Sequence, residues 1–265
     1  MMISVINRTN GVVKDREILF AIRAINRQIN EDFFPYWSFG SSLRLEGSTE
    51  ELPNKEHPED MRGDAVIYMW DKVDTKAALG YHDQNFSGIP YGFVFTRLAS
   101  QLHEDWSVTL SHEALEITGD PETNLLVMGP HPDPLEHRNV FHMFEMCDAV
   151  QAESYEIDGI AVSNFVLPLY YTSGDEFKGR NDFLGTTYRG KTLESFGVNH
   201  GGYIGFFDPR EERTITYFGK SDLSAKKRSR IKLKAKGTRR LLRYRNFVTP
   251  GKNMKFAKQE TKLKM

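Results

Sequence analysis

The order of strand-like and helix-like patterns along the first 219 residues constrains the fold more than any other feature of the sequence. Short runs rich in Val, Ile, Phe and Tyr, typical of β-strands, alternate with stretches of helical periodicity. The strand-like runs are MISVIN, GDAVIYMWDKV, PYGFVFTRL, NLLVMG, AESYEIDG and IAVSNFVLPLYY, and GGYIGFFDPREERTITYFG has the pattern of a hairpin. This alternation predicts a single α/β or α+β domain with a mixed sheet, ending near Gly219.

Two stretches predict helices. One runs from Lys14 to Asn30, and we expect it to end at Pro35, before a polar surface excursion over residues 40–62. The other is WSVTLSHEALEITG, which Gly119-Asp120-Pro121 should stop. The second helix is apolar around its charged residues, so we expect it to be largely buried.

Charge divides the chain into two unlike parts. Residues 220–265 hold 17 of the 35 basic residues and two of the 36 acidic ones, a net charge of +15, which leaves −16 on residues 1–219. We therefore predict a domain over 1–219 and a basic, partly disordered tail over 220–265. Such a tail, with Tyr244 and Phe247, is typical of nucleic-acid binding, and it has no base-reading motif, so binding should be sequence-independent. The alternative is a solubilising tail or one that covers the acidic body.

Several features predict an intracellular, cytoplasmic protein with no membrane partner. No apolar run approaches the roughly 20 residues that span a bilayer. The start, MMISVINRTNGVVKDREI, lacks the basic-then-apolar layout of a signal peptide. Cys147 is the single cysteine, so no intrachain disulfide can form.

The stretch WSVTLSHEALEITGDPE carries half of a zinc-hydrolase motif. A zinc hydrolase helix reads His-Glu-x-x-His, and here Glu116 stands where the second histidine would follow His112 and Glu113. Positions i and i+4 share a helix face, so His112 and Glu116 can bind one ion. Glu113 is offset by about 100°, the place of a general base that takes a proton from metal-bound water. A solvated helix face is the alternative, but uncompensated carboxylates are costly in a buried helix.

A third ligand must come from elsewhere in the chain. The acid-rich segment EMCD supplies Glu145, which we favour as the ligand, and Asp148 as a neighbouring acid. Glu122 is the alternative suggested by extended metzincin spacing, and Asp120 is another, although its Asp-Pro context also suits a helix stop. His82, next to Asp83, could orient a ligand or bind the ion itself.

The ligand types indicate a divalent cation. Zinc is favoured, but one imidazole with two carboxylates also suits Mn²⁺, Mg²⁺ or Ca²⁺. Three other histidines, in or just after a Pro-rich loop, do not have the spacing of a known metal cluster: His131, His137 and His142. Cys147 adjoins Asp148 with no nearby base, which favours a buried small hydrophobic residue over a nucleophile.

A combination of motifs resembles a family of bacterial and phage proteins. These motifs are ALGYHD, PYGFVF, SHEALE followed by DP, EMCDAVQ, DGIAVSNFVLP and GGYIGFFDP, and the resemblance spans residues 3–218. The family is similar to zincin-type metallopeptidases in its central helix, and the chain departs from them at Glu116. The resemblance implies a zincin-like domain whose metal site lies at His112, Glu116 and the EMCD segment, with Glu113 as general base. It implies no particular substrate.

The sequence therefore predicts a metal-dependent hydrolase, with a peptidase acting on a peptide or protein substrate as the favoured reading. The alternative is a non-catalytic binding protein, in which the ion braces the fold and the tail docks on nucleic acid or an acidic partner.

Overall fold

The computed structural model describes residues 1–46, 63–71, 79–85, 87–172, 174, 179–185 and 191–218. Within these residues the chain forms a mixed α/β fold with three sheets and few helices, which confirms the predicted α+β class. The basic segment 220–265 lies outside the described residues. None of the helices in the described part has the length and apolar character that crossing a bilayer requires.

The strands and the α-helices are each numbered in the order in which they occur along the chain. The strands are β1 (Met2–Arg8), β2 (Ser42–Glu46), β3 (Ala65–Trp70), β4 (Gly80–Gln84), β5 (Pro90–Phe95), β6 (Leu126–Pro130), β7 (Asn139–Met143), β8 (Ser154–Ile157), β9 (Ile160–Ser163), β10 (Tyr203–Asp208) and β11 (Arg213–Phe218). The α-helices are α1 (Asp15–Arg27), α2 (Phe34–Trp37), α3 (Thr96–Gln101) and α4 (Trp106–Gly119).

A five-stranded mixed sheet forms one half of the molecule. Its order is β2-β1-β3-β5-β4, in which β1, β2, β3 and β5 are parallel and β4 is an antiparallel edge strand. Nearly every residue of β3 and all of β5 are buried, as expected of parallel strands covered on both faces. Helix α1 packs on β2 and β9, and α4 packs on β4, β5 and β9.

The other two sheets are antiparallel. The four-stranded sheet has the order β11-β10-β7-β6, and β8 pairs with β9 in a two-stranded hairpin. The chain leaves β7 at Met143 and forms a short 3₁₀ turn at Asp148–Val150, which packs on β10. The residues between β7 and this turn lie next to α4, because Met146 packs against Gly119 at the end of the helix.

Two glycines permit the close approaches around α4. A Cβ on Gly80 would lie 2.7 Å from Thr109 Cγ2 and 2.9 Å from Glu113 Oε1, so β4 can lie against the helix only without a side chain there. A Cβ on Gly119 would lie 1.9 Å from Met146 Cε. The glycine at the end of α4 therefore makes room for the residues that follow β7.

Three local predictions were wrong. The first helix does not end at Pro35, because the chain continues through a π-helical segment, Gln28–Phe33, into α2, where Pro35 lies in the first turn and needs no amide partner. Part of the expected excursion forms β2, and residues 47–62 lie outside the described part. The run IAVSNFVLPLYY is a strand only to Ser163, and Pro168–Tyr171 form a 3₁₀ turn.

Candidate metal centre

Helix α4 places three ionisable side chains in the interior. It ends at Gly119, as predicted, and its first residue follows Asp105. Glu113 and Glu116 are 5% and 3% exposed, and the side chain of His112 is 12% exposed. Because the apolar residues of the same helix are also buried, α4 is surrounded by protein and its acids cannot turn to solvent.

The edge strand β4 brings His82 to these acids. His82 Nδ1 lies 3.0 Å from Glu113 Oε2 and 3.5 Å from Glu116 Oε2, and its Nε2 lies 3.9 Å from Glu145 Oε2. The position follows from strand alternation, since His82 pairs with Gly92 of β5 and Ile117 of α4 lies close to that glycine. His82, predicted as a helper or alternative ligand, is thus in direct contact with the helix acids.

The segment after β7 supplies the remaining acids. Asp148 Oδ1 lies 3.4 Å from His112 Nε2, which also lies 3.2 Å from Glu116 Oε2. The segment is held by two hydrogen bonds to its backbone: the Tyr171 hydroxyl donates to the Glu145 carbonyl at 2.8 Å, and the Val166 amide donates to the Met146 carbonyl at 2.8 Å. Glu145 and Asp148 are therefore placed by packing and not by the strand itself.

The ligand atoms are spaced as they would be around a cation. Two ligands at 2.0–2.2 Å from a tetrahedral ion are separated by about 3.4 Å, and the distances above run from 3.0 to 3.9 Å. There are three groups in which one possible ligand atom from each residue lies within 4.8 Å of the others in the same group. Each group contains Glu116: His82–Glu113–Glu116, Glu116–Glu145–Asp148 and His112–Glu116–Cys147. Glu116 is thus the common member of every group.

Of the predicted ligands, the structure brings Glu116 together with both His112 and Glu145, in two different groups. Asp148 was predicted as a neighbouring acid in a supporting role. In the structure its carboxylate contacts His112 directly. The three convergent groups do not include Asp120 or Glu122. Cation binding by these residues stays a prediction.

Electrostatics within the cluster reflect the crowding of carboxylates. Burial by itself would lower the pKa of His112, but Glu116 and Asp148 raise it to about 10. Burial, and then Glu116, raise the pKa of the Cys147 thiol well above its ordinary value. Cys147 is fully buried, so it is a neutral thiol beside the cluster and not an activated nucleophile.

The two alternative acids have other roles. The Asn124 and Leu125 amides donate to the two carboxylate oxygens of Asp120, at 3.1 and 2.9 Å, which closes the turn after α4. Glu122 is exposed and accepts a hydrogen bond from the Asn124 side chain at 2.8 Å. The carboxylates of Asp120 and Glu122 are thus both hydrogen-bonded within the turn that follows α4.

Of the histidines in and just after the Pro-rich loop, His142 lies in β7, and His131 and His137 lie in the loop between β6 and β7. His142 Nε2 donates to the Pro130 carbonyl at 2.9 Å, and the ring packs 4.7 Å from that of Phe196. The ring of His131 lies edge-on to Phe206 at 5.0 Å. His137 lines a surface cleft with His131 and Arg138.

Tyr203 of β10 is a site neighbour that the sequence did not indicate. Its hydroxyl hydrogen-bonds the Asp148 carboxylate; burial, and then the charge of Asp148, raise the pKa of Tyr203 well above its ordinary value. A phenol beside a carboxylate orients that carboxylate. Its only signal in the sequence was its place in a strand-like run, where an aromatic residue is expected in any case.

Comparisons with known proteins give no match from which a function could be inferred. No protein-family model, no curated protein and no solved structure matches the chain. The function must therefore be inferred from the cluster of histidines and carboxylates around Glu116.

Proposed function

We propose that this protein is a metal-dependent hydrolase whose divalent cation is held at Glu116. One observation carries the proposal: three groups of buried ligand atoms, from β4, α4 and the segment after β7, converge on that one carboxylate. Carboxylates buried at 3–5% exposure are costly unless a positive charge compensates them. A bound cation would supply that charge, and the chemistry it would provide is activation of a water molecule for attack on a substrate.

The role of general base falls to Glu113. It is the residue next to His112 on the helix, and its Oε2 lies 3.0 Å from His82 Nδ1. In this arrangement the imidazole of His82 orients Glu113, and the carboxylate accepts the proton of the attacking water. The competing role is that of a ligand, because Glu113, Glu116 and His82 form one of the three groups.

A peptide is the substrate class that we favour. The sequence resemblance to zincin-type metallopeptidases and the mixed sheet beside α4 support a zincin-like domain. In the described part, β4 is the outer strand of that sheet and carries His82. An extended peptide can pair with the edge of a sheet through main-chain hydrogen bonds, which would bring its backbone next to His82 and Glu113.

Zinc remains the favoured ion, with manganese and calcium as competitors. The cluster has two imidazoles and four carboxylates, His82, His112, Glu113, Glu116, Glu145 and Asp148. Imidazole suits zinc and carboxylate suits the harder ions. Competition between Zn²⁺ and Mn²⁺ for the metal-stripped protein would rank them.

The decisive experiment combines metal content with turnover. Purified protein should contain divalent metal, lose it on chelation and cleave members of a mixed peptide library when the metal is restored. Glu113→Gln keeps the size of the side chain and removes its basicity, so it should keep the metal and lower turnover by about 10² or more. Glu122→Gln, an exposed neighbour, is the matched control and should keep both.

Two results would count against this reading. If Glu113→Gln strips the metal, Glu113 is a ligand and the general base is another group. If the wild type carries metal but cleaves no peptide with any divalent ion, the peptidase proposal fails.

A second candidate function is a metal-braced binding protein without catalysis. It is favoured by the low exposure of all the carboxylates and by their origin in separate segments of the chain, which one ion would tie together. The basic segment 220–265 would then bind nucleic acid or an acidic partner. Removing residues 221–265 should abolish salt-sensitive binding to DNA or RNA; retention of that binding would locate it elsewhere.

A further inference from the structure

Two imidazoles from different elements approach the same oxygen atom. His82 Nδ1 lies 3.5 Å from Glu116 Oε2, and His112 Nε2 lies 3.2 Å from that same atom. His82 belongs to β4 and His112 to α4, so neither position depends on the other. A single carboxylate therefore faces two nitrogen ligands at once.

Each imidazole also has a carboxylate of its own. His82 Nδ1 lies 3.0 Å from Glu113 Oε2, and His112 Nε2 lies 3.4 Å from Asp148 Oδ1. Glu116 thus has an imidazole and a further carboxylate on each of two sides. The distances from Glu116 Oε2 to the two imidazole nitrogens, 3.5 and 3.2 Å, are close to the roughly 3.4 Å that separates two ligands of one tetrahedral ion.

Charge balance distinguishes one ion from two. The carboxylates of Glu113, Glu116, Glu145 and Asp148 are all 3–5% exposed, and together they carry four negative charges when ionised. With neutral imidazoles, one divalent cation leaves two of those charges uncompensated in the interior, whereas two divalent cations neutralise all four. Buried net charge is strongly unfavourable, so the balance favours two.

One atom of the second set points to a ligand independently. Asp148 Oδ1 is buried, and among the described residues no donor reaches it with standard hydrogen-bond geometry, although His112 Nε2 lies 3.4 Å away. A buried oxygen without such a partner is unfavourable. A cation between Asp148 and His112 would remove that cost.

We propose that the cluster holds two divalent cations that share the carboxylate of Glu116, one on the side of His82 and the other on the side of His112 and Asp148, while Glu113, next to His82, keeps the role of general base. Ions held in this way lie about 3.5–4 Å apart, as in two-metal hydrolytic centres. The inference rests on the proposed function, since it assumes that the cluster binds metal. It goes further in assigning a second ion, with its own ligands.

The test is the number of ions bound by the full-length protein. Metal-stripped chain is loaded with Mn²⁺ by equilibrium dialysis, and bound manganese per chain is measured by atomic emission. We expect two equivalents for the wild type and one each for His82→Gln and His112→Gln. Glu116→Gln should reduce the affinity for both ions, and His142→Gln, a buried histidine outside the cluster, should still bind two.

A spectroscopic readout on the wild type needs no variant and so does not depend on the folding of any mutant. Two Mn²⁺ ions that share a carboxylate should show a spin-coupled electron paramagnetic resonance spectrum, distinct from that of an isolated ion. One equivalent with an isolated-ion spectrum would overturn the two-ion inference and leave the proposed metal site intact. No bound manganese would overturn both, and two ions that survive His82→Gln and His112→Gln undiminished would place them outside the cluster.

Discussion

Two histidines in the interior, His112 of α4 and His142 of β7, have opposite electrostatic environments. Burial would lower the pKa of His112, yet Glu116 and Asp148 raise it to about 10. Burial lowers the pKa of His142 to about 4, opposed only in part by its hydrogen bond to the Pro130 carbonyl. Without a bound metal, the neighbouring carboxylates favour the protonated ring of His112, whereas burial favours the neutral ring of His142.

The carboxylates of the two regions differ in the same way. Asp208, in β10 of the same sheet as His142, is fully buried and accepts hydrogen bonds from Arg138 Nη2 at 2.6 Å and the Arg210 amide at 2.9 Å. Around His112, four carboxylates face two imidazoles. Arg138 compensates the charge of Asp208, whereas around Glu116 the carboxylates outnumber the imidazoles, and the proposed metal site rests on that imbalance.

The largest effect is expected in the four-stranded sheet. Asp208→Asn keeps the size of the side chain but leaves the largely buried Arg138 without its closest anion. Breaking such a pair should lower the free energy of unfolding by about 3 kcal/mol. Denaturant unfolding with and without chelator measures this, and the loss should be the same in both, because no metal is involved.

The cluster of histidines and carboxylates around Glu116 should behave in the opposite manner, because its contribution to stability should depend on whether chelator is present. Chelation of the wild type should lower the free energy of unfolding by about 2.7 kcal/mol if free metal had been at 100 times its dissociation constant. Glu116→Gln should abolish that difference, because it removes the carboxylate common to all three ligand groups. A chelator response that persists in Glu116→Gln, measured by melting temperature, would place the stabilising ion elsewhere.

His142 should make stability dependent on pH in acid. Its pKa is lowered in the folded state, so the unfolded chain takes up the proton first and stability is lost as pH falls from about 6.5 toward 4. The loss at pH 5 should be about 2 kcal/mol, since one pKa unit corresponds to 1.36 kcal/mol. His142→Gln keeps an N–H donor for Pro130 and should flatten this part of the profile.

The smallest effect concerns a partly buried carboxylate held by amides. Burial raises the pKa of Glu153 to about 7, and the side-chain amides of Asn164 and Asn199 donate to it at 2.8 and 2.9 Å. A raised acid pKa means that the folded state keeps the proton longer, so this contribution to stability falls as pH rises from about 4.5 to 7. Glu153→Gln should remove the decline, and an unchanged profile in urea titrations at several pH values would show that Glu153 does not titrate there.

Local features of the sequence were sufficient to predict the helix at the centre of the candidate site. His112, Glu113 and Glu116 have the i, i+1, i+4 spacing that puts two ligands on one face, and Gly119 with Asp120 ends the helix as predicted. These predictions succeed because helical periodicity and turn chemistry act over a few residues. The continuation of the helix past Pro35 was missed because a proline is tolerated in a first turn as readily as it is excluded from an interior.

The choice among distant acids was beyond the sequence. Glu145, Asp148, Asp120 and Glu122 were all plausible third ligands on spacing alone. The structure directs both oxygens of Asp120 to backbone amides and leaves Glu122 on the surface, while Asp148 reaches His112. The direction of a loop side chain depends on what packs around it, and no short-range pattern encodes that.

The sequence by itself determined the helix that carries His112, Glu113 and Glu116, and the mixed α and β character of the fold. Tertiary structure alone decided that His82, 31 residues before Glu113, contacts it at 3.0 Å, and that two imidazoles meet at one oxygen of Glu116. The physical reason is that these contacts join an edge strand, a buried helix and a turn after another sheet. Packing at Gly80, where a side chain would clash with Thr109 and Glu113, and at Gly119, next to Met146, contributes to these distances.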